Sequence, residues 1–329
     1  LCRSRPISHL RHHCQMPLKK PNGGPKPLSC SFEARDHMSD TGSLALDSFI
    51  IGRKGITQSP LQMGEVSTLR VEDLQLGQQL GRGNSSRVYL ATHTPTGKPV
   101  AVKILQNHAE TDGASRQQVL NEVRLVFQAR SDHLVTFYDA FFHEGTIRLA
   151  LEYMDCGSLE TLLHATGRRG MPEPVLAQVL WQIEQGLTYL HKEKHAVHRD
   201  LKPANVLLNS SGFVKLSDFG ISKELDGTHA LAGTYCGTAA YMSPERVQGE
   251  LYSFPSDVWS VGLIALECAT GCYPYPAFDN YFDLVKHVVH GPLPTESLSV
   301  QLAPDLLQLI HATLNKDPAC RPDVLTLAR

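Results

Sequence analysis

The sequence has no C-x-x-C pair, no acidic residue among its first 30 positions, no long apolar run and no large excess of charge of either sign. Each absence removes a class of function. The eight cysteines (Cys2, Cys14, Cys30, Cys156, Cys236, Cys268, Cys272 and Cys320) are scattered without pattern. Such usage argues against a disulfide scaffold and for a reduced, intracellular protein. His9, His12, His13 and Cys14 crowd together, but without closed ligand spacing they read as part of a basic tail rather than a zinc site. The longest apolar stretch, Val258 to Thr270, contains Glu267 and is too short to span a bilayer, so a buried core helix is expected. No secretory signal is visible. A net charge of −2 gives no global field toward nucleic acid or an anionic membrane, and neither is expected as a partner. The first residue is Leu1 rather than Met, which points to a fragment.

What is present is an ordinary globular composition, 42% hydrophobic and 19% charged, enough for a sizeable core. Residues 1–69 read as an N-terminal extension, largely disordered. Its first part is rich in proline (Pro6, Pro17, Pro21, Pro25, Pro27) and in basic residues (Arg3, Arg5, Arg11, Lys19, Lys20, Lys26). It reads as a solvated tail, with a docking arm for an acidic groove as the alternative. Phe49-Ile50-Ile51 and Ile56 are either an edge strand or a linker. From residue 70 the chain becomes globular. Short β-rich runs around Leu74–Leu76, Val88–Ala91 and Val100–Ile104 are joined by turns such as Pro95-Thr96-Gly97. A helix is predicted over Arg116–Gln128, then strand-like runs at Leu134–Phe142 and Ile147–Tyr153. Beyond Gly157 the pattern turns helical: Leu176, Val179, Leu180, Ile183, Leu187 and Leu190 recur at helical spacing. A β-rich lobe followed by an α-rich lobe, with a ligand cleft between them, is the expectation.

Four segments carry chemistry. Gly81-Arg82-Gly83-Asn84-Ser85-Ser86-Arg87-Val88 lies between strand-like runs, where glycine lets backbone N–H groups approach phosphate oxygens. Lys103 stands on the apolar strand Val100-Ala101-Val102, and a phosphate-directed ammonium there needs a carboxylate to hold it. Glu122, 19 positions on and within the predicted helix, is the candidate. His198-Arg199-Asp200-Leu201-Lys202-Pro203-Ala204-Asn205 is the strongest signal. Phosphoryl transfer asks a protein for positioning and charge neutralisation rather than covalent help. Asp200 can orient an attacking hydroxyl and take its proton, Lys202 can sit by the γ-phosphate, and Asn205 offers a neutral oxygen to Mg²⁺. Asp218-Phe219-Gly220 follows a short strand, and its carboxylate suits the same ion.

In order along the chain, the Gly81 loop, Lys103, Glu122, His198-Arg199-Asp200, Asn205, Asp218-Phe219-Gly220 and Ser243-Pro244-Glu245 resemble the protein kinase signature set. The third loop position is Ser86 where the family has glycine. The resemblance implies an α+β, bilobal kinase fold over residues 70–329, with a small lobe over about 70–153 and a helical lobe over about 154–329, the last element being truncated. It implies ATP and Mg²⁺ as cofactors, with Lys103, Glu122, Asp200 and Lys202 catalytic and Asn205 and Asp218 on the metal. ATP is expected to contact Leu80, Gly81, Arg82, Gly83, Asn84, Ser85, Ser86, Val88, Ala101, Lys103, Leu151 and Leu207, and the hinge backbone at Glu152 and Met154. It further implies that Asp257 and Trp259 start the central buried helix and that Arg321 pairs with Glu245. Lys202, Gly237-Thr238-Ala239-Ala240-Tyr241-Met242, Ser243-Pro244-Glu245-Arg246 and Glu152-Tyr153-Met154-Asp155 are similar to dual-specificity MAP kinase kinases. Thr228 and Thr234 resemble the activation-loop pair of the plant members; phosphates there would pair with Arg199, and Thr238 would lie near Asp200. A MAP kinase substrate, an upstream MAP kinase kinase kinase and a cytoplasmic location, with the nucleus as an addition, follow as expectations. A Ser/Thr kinase of another branch and a non-catalytic scaffold of kinase fold are the alternatives.

Overall fold

The computed structural model describes residues 44–46, 49–58, 69–83, 86–105, 123, 125–219, 240–251, 253–276, 281–298 and 301–327, all within the unit Asp36–Arg329. The described residues open with a small antiparallel meander, β1 (Leu44–Leu46), β2 (Phe49–Gly52) and β3 (Gly55–Gln58). The segment is thus neither a linker nor an edge strand of the main sheet. It has a sheet of its own, inside the stretch expected to be mostly disordered.

The main sheet holds five antiparallel strands in the order β4-β5-β6-β8-β7. These are β4 (Leu74–Arg82), β5 (Ser86–His93), β6 (Lys98–Leu105), β7 (Phe137–His143) and β8 (Thr146–Glu152). The β7–β8 hairpin turns on Glu144 and Gly145, with φ of 50° and 73°. Two positive-φ central residues match the twist of the flanking strands, which is why glycine follows a tolerant polar residue there. β6 is buried at Val100, Ala101 and Val102, as its β-branched and small residues require between two neighbours. Of the predicted helix at 116–128, the described residues Val123 and 125–128 are helical, and Val123 and Val126 are buried.

The second lobe contains α1 (Leu159–Ala165), α2 (Glu173–Thr188), the hairpin β9 (Val206–Leu208) and β10 (Val214–Leu216), α3 (Pro244–Val247), α4 (Phe254–Thr270), α5 (Tyr281–Val285) and α6 (Pro304–Thr313). α2 buries Leu176, Val179, Leu180, Ile183 and Leu187, the stripe read from the periodicity. α4 is buried on nearly every side, from Ser256 to Cys268. Its ends are set locally. Ser253 and Ser256 form a reciprocal cap at the start, and Gly271 ends it at φ 78°. No described helix is long and apolar enough to cross a membrane. Arg321 grips Glu245 with two parallel bonds of 2.7 Å, Nη1 to Oε1 and Nη2 to Oε2, and lies 5.2 Å over the Trp259 ring. The expected pair is therefore formed, and both side chains are buried.

Candidate active site

The catalytic loop is set by one buried carboxylate. Asp257, in the first turn of α4, is 1% exposed. It accepts the backbone N–H of His198 at 2.8 Å and that of Arg199 at 3.1 Å, and it bonds His191 Nε2 at 2.7 Å. Two consecutive N–H groups directed at one carboxylate need a turned backbone, and Arg199 adopts φ 74°. A non-glycine residue in this region is strained, and the Asp257 bonds over-determine it. Burial pushes the His198 imidazole well below the usual histidine range, against the pull of Asp257, so the ring is neutral at physiological pH.

Beyond the turn the functional side chains converge. Lys202 Nζ donates to both Asp200 oxygens, at 3.0 and 2.9 Å. Asn205 Nδ2 donates to Asp200 Oδ2 at 2.9 Å and to the Asp200 carbonyl at 2.7 Å. Ser217 closes the group through its N–H and Oγ, which donate to the Asn205 carbonyl at 2.9 and 3.1 Å. That places Asp218, the next residue, beside Asn205. Asp218 has φ 60°, and its Oδ1 accepts from Lys103 Nζ at 2.7 Å. Burial pushes the Asp218 carboxyl up, but the charge and hydrogen bond of Lys103 outweigh it, aided by Lys202, and the group titrates below the usual carboxylate range. A small depression beside Asp200 is lined by Arg199, Asp200, Tyr241, Met242, Ser243 and Arg246.

Several of the residues expected around ATP lie on β4, β5, β6 and β8, the sheet that carries Lys103. Gly81 and Arg82 end β4, and the Gly83 N–H donates to the Ser86 carbonyl at 2.9 Å, closing the turn to β5. Val88 lies opposite Lys103, and Ala101 opposite Leu151, in the sheet register. Leu80 is 43% exposed, Met154 is buried and Leu207 bridges to Ser158. Glu152, the last residue of β8, has its N–H taken by the Thr136 carbonyl at 2.8 Å. Asn84, Ser85, Glu122, Gly220, Thr228, Thr234 and Thr238 lie outside the described residues, as do His9, His12, His13 and Cys14. Among the described residues Lys103 bonds Asp218; Glu122, the carboxylate expected from spacing, lies outside them.

Two residues went unseen in the sequence. The Glu152 carboxylate accepts from Thr136 Oγ1 at 2.7 Å, Thr136 N at 3.1 Å and Lys215 Nζ at 2.8 Å. Burial pushes this carboxyl up, and the bonds from Lys215 and Thr136 bring it below its ordinary value. Thr136 precedes β7 in the small lobe and Lys215 lies on β10 in the large one, so both lobes hold the joint between them. A lysine inside the apolar run Val214-Lys215-Leu216 was the available signal, since a buried ammonium demands a partner. The Lys215→Ala variant is expected to raise KM for ATP about five- to tenfold with kcat within about twofold, because it loosens the hinge backbone rather than the reacting groups. Steady-state kinetics at varied ATP measures both.

Comparison with known proteins agrees with this geometry. The protein kinase domain model matches residues 74–328. Mitogen-activated protein kinase kinase 2 of Arabidopsis thaliana is 39% identical over 269 residues, covering 80% of this chain and 72% of that protein. A mitogen-activated protein kinase kinase of Nicotiana tabacum is 37% identical over 306 residues, 89% of this chain and 84% of the relative. A dual specificity mitogen-activated protein kinase kinase of Drosophila melanogaster is 35% identical over 300 residues, 84% and 74%. The chain belongs to the protein kinases, ATP-dependent phosphotransferases, and among them to the mitogen-activated protein kinase kinases.

Proposed function

We propose that the chain phosphorylates both the threonine and the tyrosine of a MAP kinase activation loop, and that an upstream kinase switches it on through Thr228 and Thr234. The observation that carries the catalytic part is the Asp200 carboxylate held between Lys202 and Asn205 at 2.9–3.0 Å. In that position Asp200 orients the substrate hydroxyl. As the hydroxyl oxygen forms its bond to the γ-phosphorus and the β–γ bridging P–O bond breaks, Asp200 takes the proton and ADP leaves. Lys202 offsets the negative charge on the oxygens of the moving phosphoryl group. Lys103 is directed at the nucleotide phosphates.

Protein kinases use a divalent metal with ATP, and the donor set suits magnesium. Asn205 spends its amide nitrogen on Asp200 and keeps its oxygen as a ligand, and Asp218 provides a hard carboxylate of depressed pKa. When bound there, magnesium neutralises charge on the phosphates. Dual specificity is supported by the name of the fly relative and by the signatures around Tyr241 and Ser243. Arg199 supports the regulatory part, because its guanidinium has no partner among the described residues and suits a phosphate.

The test is a purified Thr228→Glu/Thr234→Glu variant incubated with Mg·ATP and a panel of MAP kinases, followed by phosphoamino-acid analysis. Phosphothreonine and phosphotyrosine on one MAP kinase are expected. Phosphothreonine alone would place the chain in a neighbouring Ser/Thr branch.

A further inference from the structure

The meander β1–β3 lies outside the stretch that matches the kinase domain, yet a built contact fastens it to the small lobe. Its strands β2 and β3 lie against β7, the last strand in the order of the main sheet. Asp139, on β7 and 1% exposed, accepts two N–H groups on Oδ1: that of Ile56 in the meander at 2.9 Å and that of Ala140 at 2.8 Å. Gly55 turns the chain into this contact at φ 97°, and a Cβ there would stand 2.2 Å from Asp139 Oδ2. Both the backbone angle and the space demand glycine. The meander also gives up apolar surface. Ile51 is fully buried, and it and Ile56 belong to the core that holds Phe137 and Ala140 of β7.

The start of the same strand meets the hinge. Thr136, directly before β7, accepts the Glu152 N–H on its carbonyl at 2.8 Å, and it gives its own N–H and Oγ1 to the Glu152 carboxylate at 3.1 and 2.7 Å. Just after Thr136 the register of β7 on β8 shifts. Phe137 pairs with Leu151 and Asp139 with Ala150, which leaves Tyr138 as an extra residue. A bulge interrupts the ladder that would otherwise fix the strand, and a slip of one residue there would swap its faces. Asp139, the meander's anchor, stands next to that weak point and three positions from Thr136. We propose that the meander is a positioning element for the hinge. Gly55, Ile51 and Asp139 hold the bulge in register, so that Thr136 meets Glu152 and the backbone at Glu152 and Met154 is presented to adenine. The proposal rests on the reading of that backbone as adenine-binding. A segment before the kinase domain then sets the affinity for ATP without touching the nucleotide.

A double-mutant cycle on the full chain tests this. Gly55→Ala sets a Cβ against Asp139, and Lys215→Ala removes the ammonium that holds Glu152 from the other lobe. Thermal melting and active-site titration report folding. KM for ATP, kcat per active site and the Kd for ADP report the hinge. Gly55→Ala is expected to raise KM for ATP and Kd for ADP about three- to fivefold, with kcat within about twofold. In the Lys215→Ala background, where the joint is already loosened, it is expected to add less than about twofold. Ile51→Val, one methylene shorter and compatible with folding, is expected to raise both constants about twofold. A merely structural role would lower the melting point and the active fraction, and would leave KM and Kd native. Native KM and Kd in both meander variants, or an equal rise with and without Lys215, overturns the proposal. Native KM and Kd in Lys215→Ala alone instead overturns the hinge reading beneath it.

Discussion

The Asp200→Asn variant is expected to lose about 10²- to 10⁴-fold in kcat, the range removed with a positioned general base. An asparagine keeps the shape but cannot take the hydroxyl proton. It also presents an amide where Lys202 and Asn205 now donate, so the loop's own contacts turn partly unfavourable. Nucleotide affinity is expected to stay within a few-fold, because Lys103 and Asp218 hold a separate contact of 2.7 Å. Phosphate transfer to a purified MAP kinase measures the first quantity, and equilibrium nucleotide binding the second. Equal turnover by wild type and variant would remove Asp200 from the mechanism.

Arg321→Ala is expected to be the most damaging change far from the chemistry. It leaves Glu245 buried and unpaired, and breaking such a pair from one side costs about 3–5 kcal/mol. Ser256 Oγ, at 3.0 Å from Glu245 Oε1, compensates for little of that. Lysine is expected to rescue poorly, because a point charge cannot reproduce two parallel bonds. The pair also gives stability a pH dependence. Burial raises the Glu245 carboxyl, but its bonds to Arg321 prevail, and its folded pKa lies below its unfolded one. The stabilisation is therefore complete above the ordinary carboxylate range and is lost as pH falls through the depressed value. Denaturant melts at neutral and acid pH should show wild type and Arg321→Ala converging as the solution is acidified.

Much of this architecture was readable before any coordinates. The α2 stripe follows from helical periodicity, and the order of the β-strands' sequence segments from their alternation and their glycine and proline turns. α4 announced itself by length and apolar content rather than by a face, because it is buried all round. The Asp200, Lys202 and Asn205 group was readable because it falls within six residues of chain. What stayed hidden depends on pairing between distant segments. An aspartate in the first turn of a helix reads as a cap, and only the fold shows Asp257 reaching back 58 and 59 positions to the loop N–H groups. The meander was ambiguous for the same reason: its fastening point, Asp139, lies 83 residues away from Ile56. For Lys103 the sequence offered Glu122, which lies outside the described residues, and gave no sign of the second carboxylate, Asp218, 115 residues away. Charge alone cannot choose between two acids for one ammonium.

The grip of Asp257 on the catalytic loop has an evolutionary corollary. The proton acceptor inherits its placement from the most deeply shielded helix of the molecule, through peptide groups that every amino acid possesses. Surfaces that select a client protein can then drift, lengthen or be exchanged, while the apparatus that moves the phosphate stays put. A lineage built this way can diversify what it modifies without relearning how.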